Sequence, residues 1–267
     1  MENRKDPLLG ISMERAAFFF DIDGTLAALQ ETPEMVSIPS HVRKDLSQLS
    51  KQCGGALAVV SGRPLSQIDQ LFNPLVLPAA GIHGAEWRDL QGVVSRTSTD
   101  PQTLKRIEQR LEQGIKQLPG VVLEKKRIAF ALHYRQARAW SHQTRELART
   151  VAEEFPGLAL QSGKCVAELK PASIDKGVAI TRLMQQNPFN GRVPVFFGDD
   201  LTDERGFKVV NQLQGISVKV GEGQTQARYR LHSTDDVYAW IKQVLEPRIR
   251  QSPPLRSVQN GTVSRSF

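Results

Sequence analysis

The chain has few of the features that mark secreted, membrane or nucleic-acid-binding proteins. Only two cysteines occur in 267 residues, Cys53 and Cys165, so no disulfide framework is indicated and a cytoplasmic location is expected. No apolar run approaches the roughly 20 residues that a transmembrane helix needs. The first residues, MENRKDPLLGISMERAA, contain acids and a proline instead of an apolar block, so a signal peptide is not expected.

Aromatic residues are also sparse, at 6% of the chain, whereas lysine and arginine (35) outnumber aspartate and glutamate (28), for a net charge of +7. A basic balance attracts anions such as small phosphorylated substrates or nucleic acid. The basic residues are scattered, however, and no basic run is interleaved with aromatics, so a nucleic-acid partner is not expected. Residues 247–267 are rich in Arg, Pro and small polar residues, which is typical of a flexible tail.

Short apolar runs bounded by Gly, Pro or charged residues recur along the chain. Runs such as AAFFF, GALAVVS, VPVFFG and GISVKV indicate strands buried on both faces, as in a parallel sheet. Amphipathic stretches lie between them in the order of βαβ units. The pattern predicts an α/β fold, a doubly wound, Rossmann-like parallel sheet with helices on both faces.

The alternation of strands and helices breaks in the middle of the chain. Strand-like pieces from AEWRDLQGVVS to KCVAELKP alternate there with two helical stretches, PQTLKRIEQRLEQGIKQL and SHQTRELARTVAEEF. The piece RIAFALHYR alternates in polarity as a half-exposed antiparallel strand does. We interpret residues 88–170 as an inserted α+β subdomain that divides a catalytic core made of residues 1–87 and 171–246.

Acidic residues directly follow two of the apolar runs. Asp21 and Asp23, in DIDGT, come after AAFFF, and Asp199, Asp200 and Asp203, in GDDLTDE, come after VPVFF. Ligands bind beyond the carboxyl ends of parallel strands, so we expect these acids to meet. Carboxylates so close together raise one another's pKa, and Mg²⁺, which prefers a few hard oxygen ligands, relieves this repulsion. For DIDGT alone, a turn with solvated acids is the alternative.

Two further polar side chains are expected at the same edge of the sheet. Ser61 ends the run LAVVS, and Lys176 lies near the start of a helix for which Ser173 is a plausible N-cap. Asp21 can then attack phosphorus, and Asp23 can protonate the leaving oxygen and later deprotonate water. The metal, the hydroxyl and the ammonium stabilise charge on the transferring phosphoryl group.

The motifs DIDGT, VVSGR, DKG and GDDLTD, in this order and strand context, resemble those of the haloacid dehalogenase superfamily of phosphohydrolases. The resemblance implies that Asp21 is the nucleophile and Asp23 the general acid/base. It also implies that the Asp21 carboxylate, the Asp23 backbone carbonyl and Asp199 bind Mg²⁺, and that Asp200 and Asp203 orient metal-bound waters and the lysine of DKG. The inserted subdomain corresponds to a cap that closes over the substrate.

A finer resemblance is carried by GDDLTDE, GIHGAEWR, VVSGRP and GKCVAELKP. Together they are similar to the trehalose-6-phosphate phosphatases, over about residues 16–245. In that family the cap holds the sugar hydroxyls, and the matching positions here are Glu124, Lys125, Lys164 and Glu168. A solvated strand end is the alternative for residues 124–126, because charge runs usually face water.

Two core residues are further candidates for substrate binding. Arg63 follows the strand that ends at Ser61, and it can clamp phosphate or only pair with an aspartate. His83 matches the GxHGxE motif at the hinge side of the cap, and it can also be a hydrogen-bonded structural histidine. Arg135 is a weaker candidate, since arginines are mostly exposed.

The sequence therefore predicts a Mg²⁺-dependent phosphatase that hydrolyses trehalose 6-phosphate through an aspartyl-phosphate on Asp21. The expected partner is a small sugar phosphate, without nucleic acid or membrane, and the expected state is a monomer. A phosphatase for another sugar, such as sucrose phosphate, or a phosphosugar mutase is the alternative within the same class. A non-catalytic regulator that binds phosphosugars is the alternative from a different class.

Overall fold

The computed structural model describes residues 12–246, apart from Lys164. The tail expected at residues 247–267 lies outside these described residues, and so does Lys164. The described chain forms twelve strands. In order they are β1 (Ala16–Phe20), β2 (Leu57–Val60), β3 (Ala79–Gly81), β4 (Glu86–Arg88), β5 (Val94–Arg96), β6 (Val122–Lys125), β7 (Phe130–His133), β8 (Leu158–Gly163), β9 (Val166–Pro171), β10 (Val193–Gly198), β11 (Ile216–Val220) and β12 (Tyr229–Leu231).

The same residues form seven α-helices. They are α1 (Ser40–Gln52), α2 (Leu65–Phe72), α3 (Pro101–Ile115), α4 (Ser141–Glu154), α5 (Lys176–Met184), α6 (Glu204–Gln212) and α7 (Thr234–Leu245). None of the helices in the described part of the chain is long and apolar enough to cross a lipid bilayer.

The larger sheet has eight strands in the order β12-β11-β10-β1-β2-β3-β4-β5, and its strands from β12 to β3 are parallel. Strand β1 is central, and all five of its residues are buried. Alternate side chains contact opposite layers: Phe18 packs edge-on against Trp240 of α7, and Phe19 stacks on Phe189, which follows α5. Because helices cover both faces, the strand is apolar throughout, and the expected doubly wound α/β fold is confirmed.

Strands β4 and β5 correct the expected extent of the inserted subdomain. They form an antiparallel hairpin that pairs with β3, so AEWRDLQGVVS extends the larger sheet and not the sheet of the insertion. The sequence did not reveal this, because a short antiparallel hairpin has the same pattern of apolar and polar residues whichever of the two sheets it joins. The larger sheet thus continues past the expected boundary at residue 88, and we place the start of the insertion after Arg96.

The insertion contains a four-stranded antiparallel sheet in the order β6-β7-β9-β8. Helices α3 and α4 cover one face and enclose a second apolar core that includes Ile107, Leu111 and Leu132. The other face approaches the large-sheet domain, and β8 contacts the short 3₁₀ helix Leu201–Asp203. Strand β7 is antiparallel as expected, but its first three residues are all buried, because both faces of this central strand are covered.

We predict that Phe18→Ala lowers the free energy of unfolding by about 3–5 kcal/mol, since it leaves a cavity beside the central strand. Leu29→Ala is the matched control, because Leu29 is 68% exposed, and its effect should stay within about 0.5 kcal/mol. Urea unfolding followed by circular dichroism measures both. Equal stability of the two variants would contradict the packing described for β1.

Candidate active site

The acidic residues expected to converge do so at the carboxyl ends of β1 and β10. One carboxylate oxygen from each of Asp21, Asp199 and Asp203 lies within 4.8 Å of the others. The two strands are parallel neighbours, and Phe20 pairs with Phe197, so the acids that follow them leave the sheet side by side. Asp21 and Asp203 are buried, which separates this cluster from an ordinary patch of solvated acids.

Lys176 joins the two ends of this acidic cluster. Its Nζ lies 2.8 Å from Asp21 Oδ1 and 2.7 Å from Asp203 Oδ1, and its side chain is buried. Burial alone would lower the pKa of Lys176, but Asp203 and Asp21 outweigh it and raise the pKa above the usual value. Lys176 is the first residue of α5. The N-cap of this helix is Asp175, whose side chain accepts a hydrogen bond from Val178 N, and not Ser173 as expected.

Asp203 fixes the turn that carries Asp199. Its Oδ2 accepts hydrogen bonds from the backbone N–H groups of Asp199 and Asp200, each at 3.0 Å. The approach leaves no room at Gly198, where a Cβ would lie 2.3 Å from Asp203 Cγ. The Asp200 side chain accepts from Leu201 N at 2.7 Å and starts the 3₁₀ helix that brings Asp203 back towards β10.

The acid cluster has the character of a divalent-cation site. The Asp199 carboxylate accepts no hydrogen bond from the described residues, and it lies against Gly24, where a Cβ would be 2.0 Å from Oδ2. Burial and then Asp203 raise the pKa of Asp199 to about 7, and burial raises the pKa of Asp21 well above its usual value. Hard oxygen donors with uncompensated negative charge fit Mg²⁺.

Asp23 forms an ion pair with Arg63 at the entrance of the site. Arg63 Nε donates to Asp23 Oδ2 at 2.8 Å and Nη2 donates to Oδ1 at 2.7 Å. The structure thus shows the aspartate pairing left open for Arg63 by the sequence. Ser61 is buried, and its Oγ accepts from the backbone N–H of Arg63 at 3.2 Å; Ser61 lines the same cavity as Asp21 and Asp199.

The inserted subdomain contributes Glu168, which meets the core at His83. Its Oε2 lies 3.2 Å from His83 Nε2, and its Oε1 accepts from Lys126 Nζ at 2.7 Å. Burial lowers the pKa of His83, although Glu168 opposes this. Burial alone would raise the pKa of Glu168, but His83 and Lys126 outweigh it and hold the pKa well below its usual range. A neutral His83 imidazole that donates to an ionised Glu168 carboxylate agrees with both pKa shifts.

His83 is held rigidly in place. Its backbone is left-handed, with φ at 55°, a conformation that is costly for a residue other than glycine. Its ring lies so close to Gly62 that a Cβ there would be 2.8 Å from Cε1. Nδ1 is buried and has no hydrogen-bond partner among the described residues, so only Nε2 is engaged in the contact with the insertion.

Residues 124–126, at the end of β6, contact three different partners. Glu124 pairs with Ala131 of β7, which in turn pairs with Glu168 of β9, whereas Lys125 pairs with Phe130. The Lys125 ammonium binds Glu108 of α3. Lys126, which follows β6, pairs instead with Glu168, so the two neighbouring lysines contact different acids.

A cavity of about 420 Å³ lies between the two domains. Residues of the core and of the insertion both line it, among them Asp21, Asp23, Ser61, His83, Arg135, Gln161, Glu168, Lys176, Asp199 and Asp200. A wider outer cavity of about 650 Å³ is bordered by Arg63, Glu124, both lysines 125 and 126, His133 and Arg135. Glu124 Oε2 lies 2.7 Å from His133 Nε2 there. Sequence reasoning did not single out His133 and Gln161, which also line these cavities, because no motif marks either residue.

Comparisons with known proteins agree with this geometry. The model of the trehalose-phosphatase family matches residues 19–235. The trehalose-6-phosphate phosphatase of Escherichia coli K12 is 44% identical over 251 residues, which cover 94% of each protein. A probable trehalose-phosphate phosphatase of Sinorhizobium fredii is 41% identical over 214 residues, or 80% of each.

A solved structure shows the same fold. The C-terminal domain of the C. albicans trehalose-6-phosphate phosphatase superposes with a TM-score of 0.78 at 22% identity, covering 91% of this chain and 96% of that domain. The family match and the E. coli relative extend over nearly all of the described residues. The chain therefore belongs to the trehalose-phosphatase family and is a phosphatase, as the motif resemblance implied.

Proposed function

We propose that the chain is a Mg²⁺-dependent phosphatase that hydrolyses trehalose 6-phosphate to trehalose and inorganic phosphate through an aspartyl-phosphate on Asp21. The observation that carries the proposal is the convergence of Asp21, Asp199 and Lys176 on a cavity that charged residues of the insertion also line, with the buried Asp203 behind them. The E. coli relative, which is named for this substrate, supports the choice of sugar.

Asp21 has the geometry of a nucleophile. Its Oδ1 contacts the Lys176 ammonium, which leaves Oδ2 to form a bond to phosphorus while the bond to the ester oxygen breaks. Asp21 and Asp199 would hold Mg²⁺, together with the Asp23 carbonyl that the family resemblance adds. Bound there, the ion supplies charge neutralisation at the phosphoryl oxygens. Lys176 supplies a fixed positive charge on the same side.

Asp23 is positioned for the proton transfers. It would donate a proton to the sugar oxygen as the phosphorus–oxygen bond breaks, and then accept a proton from the water that hydrolyses the phosphoenzyme. Arg63 holds both oxygens of this carboxylate and so fixes its plane. For one oxygen to carry a proton, the arginine must release it, so substrate binding has to reorganise this pair.

The insertion supplies groups that suit an uncharged, hydroxyl-rich disaccharide. Glu168 and Glu124 accept hydrogen bonds, while Lys126 and Arg135 donate them, and all four face the cavities between the domains. Discrimination is strong where a wrong substrate would leave buried polar groups unpaired. The expectations of a monomer, of a cytoplasmic location and of no nucleic-acid partner remain predictions.

A substrate panel tests the proposed reaction. We expect phosphate release from trehalose 6-phosphate with a kcat/KM at least about 100-fold above that for sucrose 6-phosphate or glucose 6-phosphate, since unpaired hydrogen-bonding groups penalise the shorter or altered sugars. Chelation with EDTA should abolish turnover, and added Mg²⁺ should restore it. A preference for a monosaccharide, isomerisation without phosphate release, or activity undiminished by EDTA would each refute the corresponding part.

Removal of the nucleophile separates an enzyme from a binding protein of the same fold. Asp21→Asn should lower kcat by a factor of about 1,000 or more and keep the fold, because burial already disfavours the charge of this side chain. Circular dichroism and single-turnover phosphate release measure the two effects. Asp235→Asn, at an exposed position in the first turn of α7, is the control. Full activity of Asp21→Asn would favour a different nucleophile.

The two adjacent lysines of β6 and its loop form a matched pair. Lys126→Ala should raise KM for trehalose 6-phosphate by about 10-fold, the effect of one lost charge-assisted hydrogen bond, because it leaves Glu168 without its cation. Lys125→Ala, which removes an exposed lysine paired with Glu108 of α3, should change KM by less than about 2-fold. Steady-state kinetics with trehalose 6-phosphate and with p-nitrophenyl phosphate, which has no sugar, compare the variants. Equal effects of both substitutions would overturn the assignment of Lys126 to the site.

A further inference from the structure

A lysine that the reaction does not use lies at the end of β11. This strand is parallel to β10, with Lys219 opposite Gly198, and its residues from Ser217 to Val220 are buried. Lys219 itself is only 5% exposed. Lysine is almost never buried in this way unless a partner compensates its charge, so its presence in an interior strand requires an explanation.

The contacts of Lys219 are unusual for a buried cation. Its Nζ donates to the backbone carbonyl oxygens of Asp199 and, at 2.7 Å, of Val220. No carboxylate within residues 12–246, Lys164 aside, forms an ion pair with it. Backbone carbonyls satisfy the donors of an ammonium group but do not cancel its charge. The side chain is therefore committed to holding backbone atoms.

One of those backbone atoms belongs to Asp199, and this residue is held from three directions. Asp203 accepts from its N–H group, Gly24 lies against its carboxylate, and Lys219 donates to its carbonyl oxygen. The three supports come from separate parts of the chain. Groups that hold a metal ligand without touching the metal commonly determine how well the metal binds.

We propose that Lys219 is a positioning residue that fixes Asp199 for Mg²⁺ binding, an inference that rests on the proposed metal site. Two effects of Lys219 on the metal have opposite signs. Its hydrogen bond orders the ligand and favours binding, whereas its charge repels a cation. The carboxylates of Asp21, Asp199 and Asp203 attract the ion whether or not Lys219 is present, so the proposal requires that the ordering effect of Lys219 exceeds its own repulsion of the ion.

Calorimetric titration of Mg²⁺ into the substrate-free protein tests the inference. Lys219→Met should weaken Mg²⁺ binding by about 10-fold or more, and Lys219→Arg, which keeps the donors, should stay within about 3-fold of the wild type. Lys208→Met removes an exposed lysine of α6 and serves as the control. Should Lys219→Met fail to fold, Lys219→Gln, which is too short to reach both carbonyls, gives the same comparison.

Turnover gives an independent readout of the same residue. At saturating Mg²⁺, kcat of Lys219→Met should return to within about 3-fold of the wild type, because the reacting groups are intact and a weaker metal site is filled by mass action. Unchanged or tighter Mg²⁺ binding by Lys219→Met, even with a lower Tm, would overturn the inference. Absence of Mg²⁺ binding by the wild type would instead refute the proposed metal site.

Discussion

The ammonium group of Lys176, buried between Asp21 and Asp203, is the interaction on which the site depends. The acid cluster concentrates negative charge at the end of two buried strands, where water cannot screen it. One lysine compensates part of this charge and ties β1, β10 and α5 together at the same point. Within the described residues no side chain forms an ion pair with Asp199, and this uncompensated carboxylate beside Asp21 is the feature that suits the edge of the sheet to a divalent cation.

The two domains divide the chemistry between them. The parallel sheet presents the acids at fixed spacing, since strand ends in a packed sheet cannot move independently. The antiparallel sheet of the insertion presents Glu168 and its neighbours on the face towards the cavity. His83, strained and tightly packed, joins the two halves through Glu168. Backbone strain of this kind persists only where the surrounding structure enforces it, so the packing around His83 holds this contact in place.

The sequence predicted the fold class and the convergence of the acids, because both follow from short-range patterns. Buried parallel strands are apolar throughout, and their carboxyl ends must lie on one edge, so Asp21 and Asp199 could be placed together without coordinates. The insertion was harder to predict, since antiparallel strands can pair with either sheet, and the hairpin of β4 and β5 joined the larger one. The contacts of Lys125 and Lys126 could not be predicted, since charge alone does not reveal that Lys125 pairs with Glu108 and Lys126 with Glu168.

Three buried lysines show how the surroundings of one residue type decide its role. Lys176 lies between carboxylates, which raise its pKa and make it a permanent counter-charge. For Lys170, near the end of β9, burial lowers the pKa to about 8 although Glu168 and Asp175 oppose this, so Lys170 loses its proton more readily than Lys176 does. Lys219 donates to the carbonyl oxygens of Asp199 and Val220 and pairs directly with no carboxylate of the described residues. The kind of group that each lysine contacts, more than its burial, therefore distinguishes Lys176, which pairs with the acids, from Lys219, which we propose positions one of them.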